Sequence, residues 1–275
     1  MDPFAMSQGK ILPVPLDYLA SDSAATFFTW YAGGFALLVL PWVFIKLFKH
    51  RDSVPLMMWI GGLVCSLQES GLDNQGHLWW PTNLPGPAYI GYDLHVPLLI
   101  PPCYVFFIAM TGYWAYTKIR QGLTVAGVFR VWMLIALTDV FMEIPGTSSA
   151  AYTYYGDAPF KVLGFPLCWG WLNGTCMLMV GFLLWLVAPY LQQGWRRLLV
   201  ILVPPVAFGG AYGIVGWPYF NSLNWPMPVY ATWLWAAASL VLCLVVVRFI
   251  AAVVAHASAA HVASPLEALV GKPAA

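Results

Sequence analysis

Residues 230–247 read YATWLWAAASLVLCLVVV. Eighteen positions pass without a charged side chain, and about 20 apolar residues are enough for a helix to cross the hydrocarbon core of a bilayer. The rest of the 275-residue chain follows suit: 61% of its residues are hydrophobic and only 8% are charged. An ordinary soluble domain carries about a quarter of its residues as Asp, Glu, Lys and Arg. The composition therefore points to an all-α polytopic membrane protein.

Working outward from that stretch, seven apolar runs of spanning length can be marked, at roughly 25–48, 54–72, 91–117, 124–144, 162–190, 197–218 and 228–255. They predict one seven-helix transmembrane domain over about 24–255, in contact with the lipid bilayer. Residues 1–23 precede it, and the opening MDPFAM reads as a vector-derived leader with Met6 as the expected native start. Residues 256–275 form a small, polar tail expected to be flexible. No internal repeat is visible. Pro101-Pro102 and Pro204-Pro205 fall in the third and sixth runs, where such pairs are expected to kink a helix and free backbone carbonyls.

Lysine and arginine set the orientation. Lys46, Lys49 and Arg51 lie between runs 1 and 2, Lys118 and Arg120 between 3 and 4, and Arg196 and Arg197 between 5 and 6. The opposite connections hold only Lys161. The expected topology puts the N-terminus outside and the C-terminus in the cytoplasm of a multi-pass protein of the cell membrane. The net charge of +1 comes with no basic patch that would recruit nucleic acid. The five cysteines form no CxxC and read as free thiols within the spans.

Acids are scarce in this chain, and their distribution is uneven. Six of the eleven, Glu69, Asp73, Asp93, Asp139, Glu143 and Asp157, fall at or just beyond the expected outer ends of runs 2 to 5. His77, His95 and Asn173 join them. An ionisable group within a span costs a few kcal/mol, about 2.5–3.5 on insertion scales, so such a group is by default a functional hypothesis. Glu69 and Asp73 are four residues apart, as are Asp139 and Glu143, which stacks each pair on one helix face. Like charges so placed in a poor dielectric cannot both ionise cheaply, which leaves a protonated acid beside a carboxylate. That is equipment for general acid–base chemistry near neutral pH. The plainer assignment has these acids capping loops or pairing with Lys161 at the interface.

Candidate catalytic residues are thus Glu69, Asp73, Asp139 and Glu143, and candidate substrate-binding residues are His77, Trp80, Asp93, Tyr152, Tyr155, Trp169 and Asn173. Tryptophan and tyrosine also populate interfacial belts, whereas Trp169 lies within a span beside Asn173 and fits a cavity wall better. Other chemistries fit poorly. Retinal-type Schiff-base chemistry needs a lysine in the last span, and residues 230–247 have none. A haem pair needs histidines within spans. Glu69, Asp73, His77 and Asp93 offer metal-ligand donor types, but their spacing matches no metal signature and two glycines interrupt it. No metal and no cofactor is assigned.

An acid at the end of run 2 followed by Asp73, Gly76-His77 and Trp80-Pro81 resembles the AveC-like spirocyclase family of bacterial membrane proteins. The later acid and Tyr-rich loop running into GFPLCWGW (164–171) and Asn173 extends that resemblance over about residues 60–175. The family implies spiroketal formation from a dihydroxy-ketone polyketide, with dehydration in some members. The seven-span architecture also resembles that of fungal membrane terpene cyclases, an analogy of fold alone. The expected function is a membrane-embedded acid–base cyclase with a hydrophobic polyketide- or terpene-like small molecule as substrate, its site toward the outer face. The alternative is a transporter or binding protein for a hydrophobic small molecule.

Overall fold

The computed structural model describes residues 14–191 and 194–260. The MDPFAM leader and nearly all of the expected tail lie outside the described residues. Within them are ten α-helices: α1 (Asp22–His50), α2 (Val54–Cys65), α3 (Glu69–Gly76), α4 (Ile100–Tyr104), α5 (Thr111–Arg120), α6 (Val125–Ser148), α7 (Cys168–Leu191), α8 (Val203–Ala211), α9 (Trp217–Asn224) and α10 (Val229–Ala259). Short irregular turns join several of these end to end. A 3-10 turn at 66–68 links α2 to α3, a π-helical turn at 105–110 links α4 to α5, and another at 212–216 links α8 to α9, with a 3-10 stretch at 194–202 leading into α8. The described chain is all-α apart from three two-stranded hairpins and ladders at one end.

Five of the resulting helical stretches are long and apolar enough to cross a membrane: 22–50, 125–148, 168–191, 194–224 and 229–259. Their outer surfaces agree with a lipid environment. Trp30, Leu37, Leu38 and Phe48 of α1, Phe141 of α6, and Leu234, Val245 and Phe249 of α10 are all large, apolar and exposed. So much contiguous exposed apolar surface is foreign to a protein bathed in water. At the centre stands α7, buried along most of its length and packed against α5, α6, α8 and α10. Small residues permit this: a Cβ on Gly181 would sit 2.7 Å from the Gly112 carbonyl oxygen, so α5 and α7 touch backbone to backbone.

The boundaries differ from the sequence expectation in four places. Residues 91–99, read as the start of a span, instead complete a hairpin of β2 (Tyr89–Gly91) and β3 (Leu94–Val96). Its two turn residues, Tyr92 and Asp93, both have positive φ, 51° and 60°, as a type I′ turn requires. Residues 162–166, read as the start of the fifth span, instead form a second hairpin together with Lys161, β5 (Lys161–Val162) with β6 (Phe165–Pro166). Pro101-Pro102 sits in the first turn of α4, where the missing N–H would have had no partner, and Pro204-Pro205 falls inside the 194–224 stretch, where the 3-10 segment passes into α8. The Pro205 carbonyl nevertheless accepts a hydrogen bond from Gln68 Nε2 at 3.0 Å, the kind of side-chain rescue expected there. Finally, α10 runs to Ala259, past the expected end at 255, and α1 opens at Asp22, ahead of the expected start at 24.

The connections between α3 and α4 and between α6 and α7 cross over one end of the bundle. They are stitched by a short antiparallel ladder, β1 (Leu78–Trp79) with β4 (Thr153–Tyr154), and by Tyr155 N–H donating to the His77 carbonyl at 2.9 Å. This cap is what brings the acid-bearing ends of α3 and α6 under one roof.

Candidate functional site

Glu69 begins α3 and Asp73 follows one turn later, so both carboxyls leave the same helix face; both are buried. Glu143 lies near the end of α6, half-buried. These three carboxyls line one cavity of about 60 Å³ beneath the cap. Phe28 of α1, Leu72, Ile100 of α4, Cys103, Phe107, Ile108, Leu78 and Trp169 form the apolar part of its wall, and Trp80, Tyr104, Tyr152, Tyr154, Asn173 and Tyr212 complete it.

Every carboxyl here has a neutral hydrogen-bond partner. Tyr104 O–H donates to Glu69 Oε2, and Tyr152 O–H donates to Glu143 Oε2 and to the Glu143 carbonyl. Trp80 Nε1–H donates to Asp73 Oδ2 at 2.8 Å. Asp139, fully buried behind the wall, accepts from Asn173 Nδ2 at 2.9 Å, and Asn173 Oδ1 in turn accepts from Tyr212 O–H. Asp139 does not line the cavity; it fixes Asn173, which does. Among the described residues none of the four acids is paired with a lysine or arginine. Lys161 spends its ammonium on the Tyr154 and Gly156 carbonyls, at 2.5 and 3.1 Å. That disposes of the interfacial ion-pair assignment for these acids.

Two glycines allow the arrangement. A Cβ on Gly76 would fall 2.2 Å from Cζ2 of Trp169, so only glycine lets that indole lie against α3. A Cβ on Gly146 would fall 2.3 Å from Cε1 of Tyr152 and 2.6 Å from Cε2 of Phe28, and this gap admits the ring whose hydroxyl reaches Glu143. Around Tyr152 the aromatic side chains pack closely, with Trp80 at 4.8 Å and Phe28 at 5.1 Å between ring centroids. The Trp169 indole N–H has no hydrogen-bond partner among the described residues.

Of the residues singled out from sequence, Glu69, Asp73, Glu143, Trp80, Tyr152, Trp169 and Asn173 meet at this cavity. His77, Tyr155 and Asp93 do not. His77 caps α3 in the left-handed conformation, φ 58°, and stacks on Tyr155 with ring planes 6° apart. Burial pushes its imidazole below the ordinary 6.5, a hydrogen bond with Asn224 opposes that shift, and the Lys161 charge adds to it. Asp93 is exposed in its hairpin turn. Among the described residues no group of three or more His, Cys, Asp or Glu is placed to hold a metal ion.

Sequence reasoning missed Tyr104 and Tyr212. Both had a signal. Each follows a Pro-Pro pair and adjoins a π-helical turn, and such turns concentrate at functional sites.

A second, larger cleft of about 500 Å³ adjoins the first and shares Leu72 and Tyr212 with it. Its lining combines four carboxamides, Gln68, Gln75, Asn221 and Asn224, with Phe208, Trp217 and the bare backbone of Gly209 and Gly213. It contains no charged side chain. Drug-sized ligands occupy pockets of about 300–1,000 Å³, whereas the acid cavity has room for a few waters at about 10–15 Å³ each.

No family model matches this chain, and no curated protein or solved structure is significantly similar to it.

Proposed function

We propose that the protein is a multi-pass enzyme of the cell membrane, with seven spans and its N-terminus outside. It closes oxygen rings on a hydrophobic substrate by general acid–base catalysis, as the resemblance to AveC-like spirocyclases implies. The observation that carries this reading is the meeting of Glu69 and Glu143, from separate helices, at one aromatic-walled cavity with no cationic counterion. Carboxyls in such a setting share protons rather than form salt bridges.

In spiroketal formation one hydroxyl of a dihydroxy ketone adds to the carbonyl and gives a hemiketal. An acid then protonates the hemiketal hydroxyl, water leaves, and an oxocarbenium ion forms. The second hydroxyl attacks that ion, a base takes its proton, and the spiro centre closes with net loss of one water. Glu69 and Glu143 supply the acid and the base. Tyr104 and Tyr152 hold them and lie within reach to relay a proton, Asp73 tunes Glu69, and Asp139 acts through Asn173. The π-faces of Trp80, Tyr152 and Trp169 stabilise the passing cation. By volume the 500 Å³ cleft suits the substrate body, its amides matching hydroxyl and ketone groups, with the reacting end reaching the acids between Leu72 and Tyr212.

The test is turnover of 1,9-dihydroxynonan-5-one by protein purified in detergent, followed as formation of 1,7-dioxaspiro[5.5]undecane above the buffer background. Glu69→Gln keeps the shape of the side chain and cannot exchange the proton, so the rate falls by about 10²–10⁴ while binding persists. Binding of dihydroxy ketones without any product, across a panel of chain lengths, would replace the cyclase by a carrier.

A further inference from the structure

At the end of the bundle opposite the acid cavity, three connections bring arginines to one depression of about 250 Å³. Arg51 comes from the link between α1 and α2, Arg120 from the end of α5, and Arg197 from the stretch leading into α8. Asp52, Ser53, Val54, Tyr113 and Tyr116 complete the lining. Three guanidiniums against one carboxylate leave a local charge of about +2, since arginine stays protonated. Asp52 is the one carboxylate in the lining, and its Oδ1 accepts the Val54 N–H at 3.0 Å beside the start of α2. Among the described residues neither Arg51 nor Arg120 forms an ion pair. Arg120 lies over the Tyr116 ring at 5.5 Å, which fixes its plane. Ser53 makes no side-chain capping bond and lines the same depression.

Like charges gathered from three separate connections repel one another, and a concave site focuses their field. The arrangement is relieved by an anion that takes bidentate hydrogen bonds, and phosphate oxygens match the guanidinium fork. We infer that this pocket binds a phosphate group, carried either by the headgroup of an anionic phospholipid or by a soluble phosphate ester. Its position just beyond the ends of apolar helices suits a lipid, whose acyl chains would run down the exposed flank of the bundle. The site is independent of the cyclase reading and survives its failure.

Full-length protein in a neutral detergent is titrated separately with cardiolipin, phosphatidylcholine and sodium diphosphate, and binding is read by native mass spectrometry and by the shift in unfolding temperature. Wild-type protein binds cardiolipin over phosphatidylcholine, and Arg51→Gln/Arg120→Gln weakens this by about tenfold or more, given the strength of charge-assisted hydrogen bonds. Arg130→Gln/Arg248→Gln removes two exposed charges outside the pocket and leaves binding unchanged. Preference for diphosphate over cardiolipin, lost in the same pocket variant, assigns the site to a soluble phosphate ester. No binding of either probe, or equal loss in both double variants, overturns the proposal. Should the glutamine pair fail to fold, Arg51→Lys/Arg120→Lys keeps both charges and loses the fork; a fall of a few-fold is expected, and wild-type binding overturns the guanidinium pocket.

Discussion

The chemistry of the cavity rests on residues that hold other residues. Glu143 would be one more half-buried acid on α6 without Tyr152, and Tyr152 reaches it only because Gly146 leaves room for its ring. Gly146→Ala therefore tests the site without touching a titratable group. The added methyl meets two buried rings inside 3 Å. Overpacking of this kind costs about 1–3 kcal/mol. The expected result is a lower unfolding temperature together with reduced turnover. Gly34→Ala is the matched control: the same change in α1 meets nothing within 4 Å and leaves both unaltered. Equal behaviour of the two variants would mean that Tyr152 is not held against Glu143 by close packing.

Among the elements, what could be read from sequence was set by length and apolarity. The five long helices stand out because nothing but a membrane span uses so many consecutive apolar residues. The hairpin at 89–96 was hidden for the opposite reason: Leu94, Val96 and Leu98 look like span, and the turn at Tyr92-Asp93 lacks the glycine that usually announces a type I′ hairpin. The hairpin at 161–166 does carry that glycine, Gly164 after Leu163, and was hidden only by the apolar run that it opens. The acid spacing was legible, and so was the aromatic loop. Which histidine serves the fold rather than the site was not, since that depends on the left-handed cap at His77. Its role in the cap has a pH signature. Burial holds the folded-state imidazole below 6.5, so the unfolded chain binds the proton more readily and stability rises with pH through this group. The contribution is complete above the unfolded value and is lost as pH falls through the folded one. On acidification below about pH 6.5, the protection factor of the Tyr155 amide, whose N–H donates to the His77 carbonyl, should fall once the base-catalysed intrinsic exchange rate has been divided out. In His77→Gln that pH dependence should vanish. A protection factor that is the same at pH 8 and pH 5 in the wild type would remove His77 as the titrating group.

The whole molecule has two unlike ends. One carries the cap, the buried acids and the carboxamide cleft; the other gathers Lys46, Lys49, Arg51, Lys118, Arg120, Arg196 and Arg197 at helix ends and in the links that follow them. Moving cationic loops across a membrane against its potential is costly, and the proposed orientation therefore keeps the arginine end in the cytoplasm and turns the cap outward. On the proposed cyclase reading that orientation has a consequence for function: a product released at the cap would leave the cell or enter the outer leaflet without a second crossing. Single cysteines read this directly. Four of the five native cysteines are buried and Cys103 is half-buried within the cavity wall, so labelling in intact cells is dominated by an introduced thiol. Thr82 is exposed in the cap and Gln121 is exposed at the end of α5, and among the described residues neither side chain is recorded in a hydrogen bond. A membrane-impermeant maleimide should label Thr82→Cys in intact cells and reach Gln121→Cys only after the membrane is opened. The reverse pattern would invert the topology and put the acid cavity on the cytoplasmic side. Labelling of both positions in intact cells would mean that the chain does not separate its two ends across a membrane, and the seven-span proposal would fall with it.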